Sequence, residues 1–197
     1  MHQIAPGFVH LQDKCIFMRK LSMDELGRPD AESFRQSKKL PVVAVLDNIR
    51  SLHNVGSVFR SADAFSIEAI YLCGITACPP HREISKSALG ATETVQWHYF
   101  RHTADCLHML ADKGYALVGI EQTDESIDLQ DFVPSGHVAL IFGNEMDGLS
   151  DDALRLSNMA IEIPQTGTKH SLNVSVCAGI VFWHCFNSYQ KFSKTSE

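Results

Sequence analysis

The chain has 197 residues, 45% of them hydrophobic and 20% charged, with 17 Lys plus Arg against 23 Asp plus Glu and a formal net charge of −6. This is the balance of one globular domain, and it excludes both a disordered chain and an indiscriminate polyanion binder, which needs a basic surplus somewhere on its surface. No run approaches the roughly 18 apolar residues of a membrane span, and Asp13 and Lys14 stand where a signal peptide would be apolar, so a cytoplasmic protein is expected.

Residues 1–17 carry few signals, and Met18 to Met23 offers an alternative translation start, so the leading segment reads as a tail. Ser22 to Lys39 is strongly charged around Leu26 and Phe34, which suggests one or two short helices lying on the body. The chain is therefore divided into an extension, 1–39, and a domain, 40–197. Leu40 to Asp47 is a short β-branched run suited to a strand buried on both faces. A helix follows to Ala64, with Asn54 as its cap and Val55, Val58, Phe59 and Ala62 at helical spacing, and Ala69 to Cys73 is the next strand. Strand, helix and strand in succession imply a right-handed parallel crossover, and ligands of such sheets gather beyond the carboxyl ends of the strands. Arg60 shares a helix face with Gly56 rather than with the apolar stripe, so it can reach solvent or substrate; a plain solvated arginine is the alternative.

Gly74 to Leu89 reads as a loop rich in Pro and basic residues, and Val95 to Phe100 as an alternating strand with Trp97 and Tyr99 on one face. Thr103 to Lys113 has the pattern of a helix capped by Thr103 and stopped by Gly114, followed by a buried strand from Tyr115 to Glu121. Glu121 to Pro134 is polar enough for an exposed connection. His137 to Phe142 is a strand running into the turn Gly143 to Gly148, Ser150 caps a short helix, and Ala160 to Ile163 is the last strand.

Ile163 to Ser175 is the most informative stretch. Pro164 ends the strand, Gly167 permits close backbone approach, and Ser171 and Asn173 stand where the last helix begins with unpaired N–H groups. A capped helix after a turn explains the Pro, the Gly and one Ser, but gives the cluster of Ser171, Asn173 and Ser175 no work. The terminal helix, Leu172 to Tyr189, is apolar nearly all round, so it is either buried in its own domain or pressed against a second subunit. Six scattered cysteines, with no CxxC pair, suggest neither a zinc site nor a disulfide framework, and no metal is expected. The phosphate-cradling GxxxxGK and the dinucleotide GxGxxG are both absent.

Taken together, three segments resemble the SpoU (TrmH-like) branch of the SPOUT RNA methyltransferases. Asn48 to Ala64 is similar to the first motif of that family, Leu140 to Leu149 to the second and Ile163 to Ser175 to the third, within a match from about Leu40 to Tyr189. Ser-Leu-Asn-Val-Ser after Ile-Pro is a specific signature, and Gln165 stands where the family customarily has Met. The resemblance implies an α/β fold, a mostly parallel sheet flanked by helices, with a C-terminal deep trefoil knot. It implies S-adenosylmethionine as cofactor, held by the backbone around Gly143, Ile163 and Leu172 with Ser171 and Gly167 alongside. It implies, finally, methyl transfer to a ribose 2′-hydroxyl of tRNA or rRNA by a homodimer whose subunits share each site.

Arg60, Asn54, Glu145, Ser171 and Asn173 match the family's polar site positions. A guanidinium normally keeps its proton in proteins, so Arg60 is read as an electrostatic clamp on phosphate and reacting oxygen rather than as a base. Glu145 is expected to orient Arg60, and Ser171 and Asn173 to position ribose or the methionine end of the cofactor. Arg50, His53, Arg60, His81, Arg82, Lys169 and His170 form the expected phosphate-facing rim, and with no separate RNA-binding domain before Leu40, substrate choice rests on the catalytic body and the basic N-terminal segment. A catalytically silent RNA-binding or ribosome-assembly module on the same scaffold is the alternative, motivated by Gln165 and the acidic balance; a metabolite enzyme unrelated to RNA would make the basic rim a coincidence.

Overall fold

Val42 to Asp47 are buried without exception, as a strand covered by helices on both faces must be. In the computed structural model, which describes residues 18–22, 24–168 and 171–195, they belong to β1 (Leu40–Asp47). Two units are distinguished, one ending at Asp30 and one beginning at Ala31. In the first, Arg19 pairs with Glu25 at 2.6 Å and holds that carboxyl down to about 2.

The second unit opens with α1 (Ala31–Gln36), the one helix among the described residues of a stretch where one or two short ones were expected; its Arg35 donates to the Glu93 carbonyl at 3.1 Å. After β1 come α2 (Leu52–Ala64), β2 (Ile67–Cys73), α3 (Arg82–Ala88), α4 (Ala91–Thr94), β3 (Gln96–Phe100), α5 (Thr103–Asp112) and β4 (Ala116–Ile120). Then follow β5 (Ile127–Asp128), a 3₁₀ turn (Leu129–Asp131), β6 (Val138–Phe142), α6 (Asp151–Leu156), β7 (Met159–Glu162) and α7 (Val174–Thr195). The seven strands form one parallel sheet in the order β3-β2-β1-β6-β4-β7-β5. Alternation along β1 divides the core. Val42, Ala44 and Leu46 face Val55, Val58 and Phe59 of α2 and Ala178, Val181 and Phe182 of α7, whereas Val43 and Val45 face Leu107 and Leu110 of α5 and Ala153 of α6.

Several local expectations are corrected. Ser51, not Asn54, caps α2, accepting from the Asn54 N–H at 3.3 Å. Thr103 does not cap α5; its hydroxyl donates to Asp47 at 2.5 Å, because a buried carboxylate at the end of β1 needs donors. Asp47 also accepts from Asn48 Nδ2 and from the Ser150 N–H, each at 2.8 Å, and so ties three chain segments together. The stretch from Gly74 to Leu89 is not all loop: α3 lies so close to α2 that a Cβ at Gly56 would overlap Ser87 and the Ile84 carbonyl. Nor is Glu121 to Pro134 a bare connection, since β5 adds a seventh strand and Leu129 and Phe132 are buried. Among the described residues no helix is long and apolar enough to cross a membrane.

Along α7, Val174, Ala178, Val181, Phe182 and Cys185 are buried, while Val176, Ile180 and Trp183 are 52%, 36% and 57% exposed on the opposite side. The terminal helix thus covers its own sheet with one face and leaves an apolar face uncovered.

Candidate functional site

The carboxyl ends of β4, β6 and β7 and the start of α7 enclose a cavity of about 390 Å³, within the range of small-molecule sites. Its tightest wall is the turn after β6. Asn144 and Gly148 exchange backbone hydrogen bonds at 3.1 and 3.0 Å, and the Asn144 side chain accepts from the N–H groups of Met146 and Asp147, both at 2.9 Å. This folds the turn so closely that a Cβ at Gly143 would overlap the Gly148 carbonyl. Glu121, at the end of β4, fastens the same turn by accepting from the Leu149 N–H at 3.0 Å. Ile161, Ile163, Leu172 and Val174 supply apolar lining, and Gln165, Ser171 and Cys177 also reach the cavity.

The three segments singled out in the sequence meet at its edge. Asn54 donates its amide to Glu145, and Asn173 donates to the Asn54 carbonyl oxygen at 3.1 Å. The Asn173 carbonyl oxygen in turn accepts from the Ser175 N–H at 3.0 Å and the Ser175 hydroxyl at 2.7 Å, capping α7. Gly143, Glu145, Ile163, Ser171 and Leu172 therefore line the cavity directly, while Asn54 and Asn173 adjoin it through Glu145.

Two expected members stand apart. Arg60 is exposed, outside the cavity wall of its own chain, and its guanidinium has no hydrogen bond or ion pair among the described residues. Within the chain Glu145 accepts from Asn54 instead, and Arg60 lies six residues beyond Asn54 on α2, about 9 Å further along the helix axis. A Cβ at Gly167 would meet nothing within 4 Å, so that residue makes no close approach within the chain. Lys169 and His170 lie outside the described residues.

The cavity is acidic. Glu121, Glu145, Asp147 and Glu162 reach it, and no basic side chain does so among the described residues. Glu121 sits at a strand's carboxyl end, which is the signal that could have marked it. Burial, and then Glu121 itself, pushes the Cys177 thiol up to about 12. Of the expected basic rim, Arg50 approaches the cavity residue Asp147 at 3.6 Å, and His53, His81 and Arg82 are exposed. An apolar floor under several carboxylates suits a ligand with an apolar body and a positive centre. Among the described residues, no group of three His, Cys, Asp or Glu is placed to hold a metal.

Residues 41–183 match the SpoU rRNA methylase family. The chain is 30% identical over 180 residues to the 23S rRNA (guanosine-2′-O-)-methyltransferase RlmB of Neisseria meningitidis serogroup B, a match covering 91% of this chain and 67% of that protein. It is 30% identical over 156 residues to the RlmB of Vibrio cholerae serotype O1, covering 79% and 63% respectively, so the chain spans about two thirds of these relatives or less. In fold it is similar to the A. aeolicus TrmH/SpoU tRNA modifying enzyme, with a TM-score of 0.75 at 21% identity over 85% of this chain and 86% of that one. An AdoMet-bound rRNA methyltransferase from Sinorhizobium meliloti superposes with a TM-score of 0.70 at 25% identity, over 78% and 59%.

Proposed function

Because the chain belongs to the SpoU rRNA methylase family, we propose that it is an S-adenosylmethionine-dependent RNA methyltransferase whose acceptor is a ribose 2′-hydroxyl of rRNA or tRNA. The convergence of Gly143, Glu145, Ile163, Leu172, Asn54 and Asn173 on one cavity carries this reading. When bound, the cofactor supplies the methyl group on a sulfonium, and the carboxylates of Glu121 and Glu162 suit that positive charge. Backbone groups around Gly143, Ile163 and Leu172 would hold the adenosine part, with Ser171 beside them. Asn54 and Asn173 are the residues that fix Glu145 and the start of α7 around the ligand.

Arg60 is taken as the fixed cation beside the reacting ribose oxygen, holding the neighbouring phosphate. Since it lies outside the cavity of its own chain, it serves the cavity of a second copy. The uncovered Val176, Ile180 and Trp183 face of α7 is the surface on which two copies pair. We further infer that the segment from Ile163 to α7 threads the preceding loop as a trefoil knot, and that the protein works in the cytoplasm.

Titration calorimetry with S-adenosylmethionine, followed by ribose-methylation mapping of tRNA and rRNA from a deletion strain, tests this. A heat of binding and one missing mark are expected; no heat and no missing mark would reject it. The second reading, a silent RNA-binding module, draws on Gln165 lining the cavity where the family customarily has Met. It requires RNA binding that ignores both the cofactor and Arg60→Ala.

A further inference from the structure

A parallel sheet sends all its carboxyl ends to one edge, and here the ends of β3, β2, β1 and β6 follow one another along it. With strands about 4.8 Å apart, the end of β3 lies about 14 Å from the turn after β6 that walls the cavity. The side chains offered along that distance form a series. Arg50 and His53 follow β1, Ile75 follows β2, and Tyr99, Arg101 and His102 close β3.

Their setting separates them from ordinary solvated side chains. Tyr99 donates its hydroxyl to the Gly74 carbonyl at 2.9 Å, so its position is fixed, yet the residue is 49% exposed. Ile75, on a turn pinned by its own N–H to Asn48 Oδ1 at 3.2 Å, is 62% exposed. Arg101 and His102 are exposed, and their side chains have no hydrogen-bond or ion-pair partner among the described residues. Among the described residues the Arg50 side chain meets only the exposed Asp147 at 3.6 Å, a contact that phosphate can displace. A fixed open ring beside an unpaired guanidinium and imidazole is the combination with which proteins hold single-stranded nucleic acid: bases stack on the ring and polar, basic groups follow the backbone. The charge pattern agrees, since the cavity is lined by carboxylates whereas Arg50 and Arg101 stand exposed after β1 and β3.

We infer that the RNA strand on one side of the methylated nucleotide runs over the ends of β1, β2 and β3, with a base stacked on Tyr99 and phosphates held by Arg101 and His102. This rests on the RNA methyltransferase reading and adds to it the track by which substrate reaches the cavity.

Fluorescence anisotropy of the full chain with a labelled 20-mer oligoadenylate, at several salt concentrations, tests the track. Tyr99→Ala is expected to weaken binding about tenfold, whereas Tyr99→Phe, which keeps the ring and loses the hydrogen bond, stays within about twofold of wild type. The Arg101→Ala/His102→Ala variant is expected to lower the slope of log affinity against log salt by about one or more. Lys113→Ala, at the opposite edge of the sheet, leaves binding unchanged, and S-adenosylmethionine affinity by calorimetry is unchanged in every variant. Wild-type affinity and salt slope in both Tyr99→Ala and Arg101→Ala/His102→Ala would overturn the track while leaving the methyltransferase reading intact. Equal losses in Tyr99→Phe and Tyr99→Ala would overturn stacking. A wild-type chain that binds neither the oligomer nor total RNA would remove the underlying reading as well.

Discussion

Asn173 donates its side-chain amide to the Asn54 carbonyl oxygen at 3.1 Å, and this contact latches the start of α7 to the first turns of α2. Because Asn54 also donates to Glu145, its one amide group joins three segments far apart in the chain. Asn54→Ala removes both bonds. A hydrogen bond to a charged group contributes about 1.5–3 kcal/mol, so cofactor affinity is expected to fall roughly ten- to a hundredfold. Calorimetry on the folded variant reads this, and an unchanged affinity would show that the latch does not shape the cavity.

Gly143 and Gly167 separate by the space around them. Gly143→Ala forces a Cβ into the Gly148 carbonyl and must open the turn, so cofactor binding is expected to be lost. Gly167→Ala meets nothing within 4 Å and should leave thermal stability within about 1 °C of wild type. Should Gly167→Ala abolish cofactor binding while preserving stability, its backbone contacts the ligand itself.

Arg60→Ala is expected to lower kcat by about 10²–10³, the cost of losing one well-placed donor, without changing cofactor affinity. If Arg60 serves the partner's cavity, mixing Arg60→Ala and Gly143→Ala subunits restores one complete site per mixed dimer. Random pairing of two variants then returns about a quarter of wild-type activity. Two inactive parents that stay inactive when mixed would place Arg60 in its own chain's reaction.

The uncovered face of α7 gives a physical expectation for assembly. Trp183→Asp sets a charge in the middle of the Val176, Ile180 and Trp183 patch and should shift the protein from dimer to monomer in sedimentation velocity. A monomeric wild type, or a dimer indifferent to the substitution, would send the pairing surface elsewhere.

Sheet and helices were readable because β1, β2, β4 and β6 are short apolar runs and α2 and α5 carry helical stripes. The cap of α2 was assigned three residues late, since Asn54 is as good a capping type as Ser51 and only tertiary structure gives it another partner in Glu145. α3 was hidden because Pro79 and Pro80 dominate the stretch before it, and β5 because two residues leave no periodic signal. Glu121 and Cys177 escaped notice for a different reason. A strand end and a half-buried helical thiol become cavity walls only when β4 and α7 both border the same space.

The insertion of β6 between β1 and β4 has a consequence during synthesis. Ala44 cannot find Leu140 until translation has passed well beyond the middle of the chain, which at about 5–20 residues per second leaves one side of β1 unpaired for roughly 5–20 s. A nascent chain halted in that interval presents the ribosome's surroundings with a bare row of amides and carbonyls backed by valines, a template for sticking to its neighbours. Premature termination before Val138 should therefore yield aggregates rather than a soluble half-protein.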